Sequence, residues 1–432
     1  MQRMTIRSFG PVKEAHLQID DILLFIGPQA SGKSTISKTI YFFKSLKDDL
    51  IRYIVDSLEE NRFDRPLGTF AKRTRAKFLN FWGPTLHLTG IYLKYEYSPD
   101  VSVTVTLKEK YVNPQFSNGF KRGFSEVINH AKAFHSSVPK RDPRYMSSSD
   151  IVTAESEKRT FLVNIQKLAN KLFGDDRDIV FVPAGRSLLA ILSDQLSYIH
   201  PHKLDDLMRA FIERINASKG VFSRSLDDLV KERRQLTQEK IDFETLGVAQ
   251  AIIRRILKGT YRCDSDGEKL FFTPNKYTRL DYASSGQQEA IWILLLIFLI
   301  LLENKSVFIV FEEPEAHLYP EAQKDAVELM ALLSNVSNNQ LVVTTHSPYI
   351  LSSFNNLLYA SAVATKSKRK VEALIDKRLW INPQRLSAYF VAEGGMKSIV
   401  DEETKLLKTE AIDSASIAIN AVYDKLFILD DE

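Results

Sequence analysis

The sequence predicts an α/β fold in which a core of buried parallel strands carries an antiparallel β subdomain and an inserted helical arm. Three observations lead there. The apolar run Ile22–Ile26 passes directly into a glycine-bearing loop, Gly27 to Ser34, and then into a stretch without Gly or Pro until Pro66; that pattern reads strand, tight loop, helix. Two later apolar runs, Val307–Phe311 and Leu341–Thr345, end in carboxylates and in a histidine, as buried strands do when they deliver polar groups to one sheet edge. Upstream of these, Ile91–Tyr97 and Val101–Lys108 alternate apolar and polar residues, the period of antiparallel strands with one wet face.

The remaining elements follow in chain order. Residues Met4 to Ile26 alternate around Gly10-Pro11 and predict a hairpin that feeds the Ile22–Ile26 strand. After the first helix, Lys72, Arg73, Arg75, Lys77, Phe78, Phe81 and Trp82 form a basic, aromatic-bearing stretch, read as a solvated helix face with its rings in the core. Phe116 to Ser149 is polar and reads as a surface excursion; Ser147-Ser148-Ser149-Asp150 is an N-cap signal for a helix to about Phe173. Asp178–Pro183 is a short buried strand that delivers Pro183-Ala184-Gly185-Arg186-Ser187. Leu204, Leu207, Met208, Phe211, Ile212 and Ile215, then Leu226, Leu229 and Val230, keep helical spacing, while Lys231 to Lys240 is almost wholly polar; this predicts an antiparallel helical arm with an exposed tip. Ala249–Leu257 returns as an amphipathic helix, and Tyr261–Leu280 as a hairpin turning at Asp264–Gly267. The resulting division is 1–115, an N-terminal lobe; 116–177, a helical insertion; 178–200, a returning core strand; 201–258, the arm; 259–365, a C-terminal lobe; and 366–432, a partner or oligomer segment.

Composition narrows the class. The chain has 432 residues, enough for two or three domains or one large one. Its longest apolar run, Ala290–Leu302, is too short for a bilayer and has the length of a fully buried helix. The first residues lack the basic and apolar regions of a secretory signal, and Cys263 is the single cysteine; the expectation is a cytoplasmic protein without disulfides and with no membrane partner. A net charge of +4 permits an acidic partner without requiring one.

The candidate chemistry begins in Gly27-Pro28-Gln29-Ala30-Ser31-Gly32-Lys33-Ser34-Thr35. Glycines at this spacing let successive N–H groups turn onto phosphate oxygens at a helix N-terminus; Lys33 adds a point charge and Ser34 a hydroxyl for Mg²⁺. ATP with Mg²⁺ is the expected ligand. Glu312 and Glu313, at the end of the Val307–Phe311 strand, are of the Walker B type: the first holds Mg²⁺, the second polarises the attacking water. Like charges so close should raise one carboxylate's pKa unless the metal or Lys33 offsets it. Ser284-Ser285-Gly286-Gln287 opens the buried helix and taken alone is a plain N-cap. His200 and His202 flank Pro201 without a third ligand nearby and read as a polar loop, and Lys366, Lys368, Arg369 and Lys370 as a solvated basic hairpin tip or loop.

The order of these stations, with Glu313-Pro-Glu-Ala-His-Leu-Tyr-Pro320, closely resembles the ATPase heads of the RecF, SMC and OLD group, which are ABC-type P-loop NTPases. The resemblance covers residues 1 to about 45 and about 280 to 360. It implies a two-lobed head and a composite site: Lys33, Ser34, Glu312, Glu313 and His346 from one subunit of a homo-oligomer, Ser285 and Gly286 from another. It gives Ser284–Gln287 the role of a signature that caps a helix against the γ-phosphate, and His346 that of a phosphate-sensing catalytic residue beside Glu313 and Lys33. Arg186 stands near the family's Q-loop station; contact with phosphate or a neighbouring subunit and a structural salt bridge are both open. Within the group, Pro183–Ser187, the short arm and the tail from Tyr389-Phe-Val-Ala-Glu-Gly-Gly through Asp401–Thr404 to Ile412-Asp413 are most similar to the ATPase subunits of PARIS-type anti-phage systems, with Septu-type ATPases as a near alternative. That likeness implies a switch that holds a separate Toprim-type nuclease inactive and frees it when an acidic phage protein is sensed. No nuclease site is expected in this chain, since the tail, closing in Leu429–Glu432, lacks a strand ending in Asp-x-Asp. A RecF- or SMC-like DNA-repair or DNA-structuring ATPase, with DNA as partner, is the alternative.

Overall fold

The alternating N-terminal strands pair antiparallel, as their period of two requires. In the computed structural model, which describes residues 2–60, 62–86, 88–137, 148–187, 205–236, 241–408 and 420–424, strands β1 (Arg3–Phe9) and β2 (Val12–Gln18) form the expected hairpin. They join β4 (Tyr92–Glu96), β5 (Ser102–Lys108) and β6 (Tyr111–Phe116) in the order β2-β1-β4-β5-β6. This sheet belongs to the first of two compact units, Met1–Ile19 with Lys38–Ile179. Met4, Ile6, Leu93, Val103 and Val105 turn to its buried face. The same unit holds helices α2 (Leu46–Glu59), α3 (Pro66–Trp82), α4 (Asn118–Ser137) and α5 (Ser148–Phe173), together with most of α1 (Lys33–Lys44). Helix α3 is the basic, aromatic stretch and behaves as predicted: Phe78 is buried, with its ring 4.6 Å from Trp82. Its cations Arg73 and Lys77 pair with Asp56 and Asp49 of α2.

Helix α4 corrects the reading of residues 116–149 as a polar excursion. Its outer face is polar, but Phe120, Phe124, Val127, Ile128 and Ala131 recur at helical spacing and are buried; scattered Ser, Lys and Arg hid that stripe. Where α5 meets the turn before β7 (Asp178–Val182), Asp175 takes a buried ion pair from Lys44, and Lys47 donates to the carbonyls of Asp175 and Arg177 at 3.2 and 2.7 Å. Burial pushes the Asp175 carboxyl up, and Lys44 with Arg177 more than reverses this, leaving it below the usual range.

The second unit, Asp20–Ser37 with Val180–Glu432, is built on a six-stranded sheet ordered β14-β13-β3-β12-β11-β7. Strand β3 (Ile22–Ile26) lies parallel to β12 (Gln340–Thr345), which lies parallel to β11 (Val307–Glu312). All three are buried along their whole length, which is why each reads as a continuous apolar run. On the other side of β3 runs β13 (Leu386–Ala392), parallel and in register from Leu386 opposite Ile22 to Phe390 opposite Ile26, and β14 (Gly395–Ser398) folds back on it. Residues 386–398 are therefore core sheet and not part of a separate C-terminal segment as the 366–432 division has it; Leu386, Ala388 and Val391 are buried. Lys366–Lys370 lie in helix α11 (Pro348–Glu372), not in a hairpin tip or loop.

Helices α6 (Asp206–Lys219) and α7 (Leu226–Leu236) also depart from expectation. Phe211, Ile212, Ile215, Phe222, Leu226 and Leu229 are buried in the same hydrophobic cluster as the apolar helix α9 (Ser285–Glu303), so the described part of the arm is packed on the core and does not project. Helix α8 (Phe243–Leu257), a three-stranded sheet of β8 (Thr260–Asp264), β9 (Gly267–Thr273) and β10 (Lys276–Arg279), and α10 (Pro320–Asn335) complete the unit. Among the described residues α9 alone is long and apolar enough to cross a membrane, and 83% of its apolar window is buried within the fold. The His200–His202 pair, the end of the Lys231–Lys240 run, Ile412-Asp413 and Leu429–Glu432 lie outside the described residues.

Candidate functional site

Three loops leave the carboxyl ends of β3, β11 and β12, which lie side by side with Ile26 opposite Thr345 and Glu312 opposite Thr344. That is the edge of a parallel sheet where ligands bind. The first loop runs from Gly27 into α1. Gly27 sits at φ +155° with an added Cβ only 2.1 Å from Val391 O, so strand β13 admits no side chain there. Pro28, Gln29 and Ala30 are exposed, Ser31 is half-buried, and Gly32 and Lys33 are buried at the start of α1; Ser34 is exposed and Thr35 half-buried in its first turn. Lys33 Nζ folds back onto its own loop, donating to Gly27 O at 2.9 Å and Pro28 O at 2.8 Å. Burial pulls its pKa down, and Glu313 and Glu315 oppose that.

The second and third loops bring their groups to the same lysine. His346, directly after β12, has Nδ1 3.5 Å from Lys33 Nζ and Nε2 3.4 Å from Glu313 Oε1. A lysine donor beside Nδ1 and a carboxylate acceptor beside Nε2 set the ring's hydrogen-bonding roles, with Nε2–H facing Glu313. Glu312 ends β11 and is 5% exposed, whereas Glu313 and His346 are partly open to solvent. Glu313 adopts the left-handed conformation at φ +46°, rare for a residue with a side chain.

Glu315, to which the sequence alone assigns no role, is the organiser of the third loop. Its Oε1 accepts from Thr345 Oγ1 at 2.6 Å and from the His346 main-chain N–H at 2.8 Å. Below it, Gln323 Oε1 accepts from Ser347 Oγ at 2.6 Å, and Ser347 caps helix α11. A third acid directly after Glu313-Pro314 is the signal that was available. Arg186, left open between phosphate and structure, is wholly buried and bonded to main-chain carbonyls and to Glu289; it is structural to the site and touches no solvent.

Ser284 caps α9 in a reciprocal box with Gln287, and Gln287 Nε2 donates to Leu257 O at 2.7 Å. Gly286 is required here by close approach, since an added Cβ would lie 2.7 Å from His317 O. Ser284, Ser285, Gly286 and Gln287 thus form the first turn of α9 beside the loop that follows Glu313, while Lys33, Glu313 and His346 meet at the sheet edge.

The residues fit a magnesium–nucleotide ligand. Among the described residues, buried polar atoms without a partner include Ser31 Oγ, Glu315 Oε2 and Thr344 Oγ1 of these same strand ends and loops, and Lys33 donates to two loop carbonyls that it can exchange for phosphate. Ser34 and Glu312 are the residues that would hold Mg²⁺ through oxygen.

A parallel sheet with a lysine-bearing glycine loop at its carboxyl edge is the arrangement by which α/β proteins hold phosphate. The AAA ATPase domain family profile matches residues 91–351, more than half of the chain, and the chain belongs to that family. Nucleotide binding is what that family implies. No curated protein matches. Among solved structures the chain is similar to an SMC head bound to the C-terminal winged-helix domain of ScpA, at 12% identity and TM-score 0.43, covering 92% of this chain and 96% of that one. It is also similar to the SMC head domain from Thermotoga maritima, at 12% identity, TM-score 0.35 and coverages of 92% and 97%. A third is an SMC head with an extended coiled coil from Pyrococcus furiosus, at 12% identity, TM-score 0.36 and coverages of 92% and 96%.

Proposed function

We propose that this protein is an ATP-hydrolysing molecular switch acting in the cytoplasm. The observation that carries the reading is the position of His346 at the sheet edge, with Nδ1 3.5 Å from Lys33 Nζ and Nε2 3.4 Å from Glu313 Oε1. Lys33 exchanges its two loop carbonyls for β- and γ-phosphate oxygens, and the N–H groups from Gly27 to Ser34 follow at the α1 N-terminus. Mg²⁺, held through Ser34 and Glu312, supplies charge neutralisation on the phosphates when bound. Glu313 accepts the proton of the attacking water, and His346, held through its main chain by Glu315, senses the γ-phosphate from between Glu313 and Lys33. Ser285 and Gly286 of a second copy cap the γ-phosphate through the α9 N-terminus, so hydrolysis requires a homo-oligomer.

The role we assign to this switch is in bacterial anti-phage defence of the PARIS type. The ATPase holds a separate Toprim-type nuclease inactive and releases it when an acidic phage protein is sensed. What supports this reading is the resemblance of the Pro183–Ser187 segment to that group and the net charge of +4, which suits an acidic trigger. Phosphate release by the wild type and Lys33→Ala tests the first level; the wild type should turn over and the variant should lose nucleotide binding. Co-purification with the product of the neighbouring gene, with and without ATP, tests the second: an associated nuclease supports defence, while turnover stimulated by DNA with no nuclease partner supports a DNA-structuring ATPase instead.

A further inference from the structure

Arg186 heads the largest fully buried side chains among the described residues, and the chemistry above makes no use of its charge. It stands in the turn after β7 and spends its donors on the main chain that carries the two acids. Nη1 donates to Glu312 O at 2.8 Å and Pro183 O at 2.5 Å, and Nη2 to Glu313 O at 3.0 Å. Nε donates to Glu289 O at 3.1 Å and lies 3.4 Å from Glu289 Oε2. Glu289 is itself 1% exposed, four residues after Ser285 on α9, and its carboxylate accepts from the N–H groups of Arg186 at 3.0 Å and Ser187 at 2.8 Å.

A pair that merely joined helix to sheet would need the carboxylate contact alone. Here the planar fork of the guanidinium, which can serve several acceptors in fixed directions, also holds the carbonyls of Glu312 and Glu313. Glu313 is the residue in the left-handed conformation, a geometry that persists only when its surroundings impose it. Its N–H is taken by Thr344 O at 2.9 Å and its carbonyl by Arg186 and by the Ala316 N–H at 3.1 Å.

We infer that Arg186 and Glu289 are positioning residues for hydrolysis: Arg186 fixes the main chain of Glu313, and Glu289 ties that grip to the helix whose first turn is Ser285-Gly286. The inference rests on Glu313 as the base. A displacement of the α9 first turn is carried by Glu289 to Arg186 and so to the acid that activates water, while Gly286 packed on His317 O gives the same helix a second hold on the loop.

Glu289→Gln tests this, being isosteric and keeping one acceptor. In the nucleotide-free protein, amide exchange should speed about tenfold at Glu313 and Ala316 and stay unchanged in β11. Nucleotide affinity should stay within about threefold, while single-turnover hydrolysis slows by about 10- to 100-fold, the cost of a small misplacement. In a Glu313→Gln background the same change should slow hydrolysis no further. An unchanged rate, an equal slowing in both backgrounds, or exchange that rises uniformly through the unit overturns the inference. Arg186→Lys, which keeps the charge and loses the fork, is carried through the same measurements should Glu289→Gln not fold. If the wild type and Glu313→Gln hydrolyse ATP alike, the base assignment fails, and the exchange result alone then decides whether the tie exists.

Discussion

Lys44–Asp175 in the first unit and Arg186–Glu289 in the second are both ion pairs with side chains almost wholly out of water, yet their surroundings differ. The first is wrapped by structural groups: Lys47 on the carbonyls of Asp175 and Arg177, and Tyr97 Oη donating to Phe43 O at 2.6 Å. The second is wrapped by the main chain of the acids at the site. Burying two charges is expensive in either place. What the pairs teach is that equal burial and charge leave open where the remaining hydrogen bonds go: to a structural turn in one pair, to the main chain of Glu312 and Glu313 in the other.

The largest expected effect separates the two units. Asp175→Asn leaves Lys44 buried without its partner and should remove about 3–5 kcal/mol of stability in denaturant unfolding at pH 7, with nucleotide affinity unchanged in whatever fraction remains folded. The folded Asp175 carboxyl titrates below its ordinary value of 3.8, so the wild-type advantage is complete above about pH 4 and is lost as pH falls through the lower folded pKa. Unfolding curves of the two proteins that stay equally far apart in strong acid would break this side of the comparison.

A smaller effect is expected at the β13 contact in the second unit. Gly27→Ala forces a Cβ to within 2.1 Å of Val391 O at φ +155°, and the loop must yield; nucleotide affinity should fall by about tenfold or more, equivalent to about 1–3 kcal/mol of backbone strain. Titration with a fluorescent nucleotide checks this, and wild-type affinity would remove β13 as a wall of the loop. Gly286→Ala meets His317 O at 2.7 Å and should slow turnover about threefold to tenfold at unchanged affinity, since the strain falls on the loop after Glu313 and not on the phosphate cradle. Smallest of all, Glu315→Gln keeps an acceptor for the His346 N–H and should lower kcat about threefold with KM unchanged; a KM effect instead would place Glu315 against the nucleotide.

The site was legible where chemistry demands fixed residues at fixed spacing. Gly27–Thr35, Glu312, Glu313 and His346 stand at the ends of strands whose continuous apolar runs announced them, and the parallel sheet brings Lys33, Glu313 and His346 together. The capping box at Ser284 and Gln287 was also readable, because capping is a local rule. Less visible was what depends on partners distant in sequence. Strand β13 has only seven residues, four of them partly exposed, and nothing local says that it lies beside β3. Helix α4 concealed its buried stripe among polar residues, and α6 and α7 read as an arm since an amphipathic helix does not name the surface it packs on. Arg186 and Glu289, 103 residues apart, each look ordinary until the fold joins them.

The most direct test of the account is Glu313→Gln in the otherwise intact chain, with nucleotide binding and single-turnover hydrolysis measured side by side. Loss of the base at an unaltered cradle predicts affinity within about threefold of wild type and hydrolysis slower by about 10²- to 10⁴-fold. Hydrolysis at the wild-type rate with normal binding would contradict it, and would move the proton acceptor away from the sheet edge where Lys33, His346 and Glu313 meet.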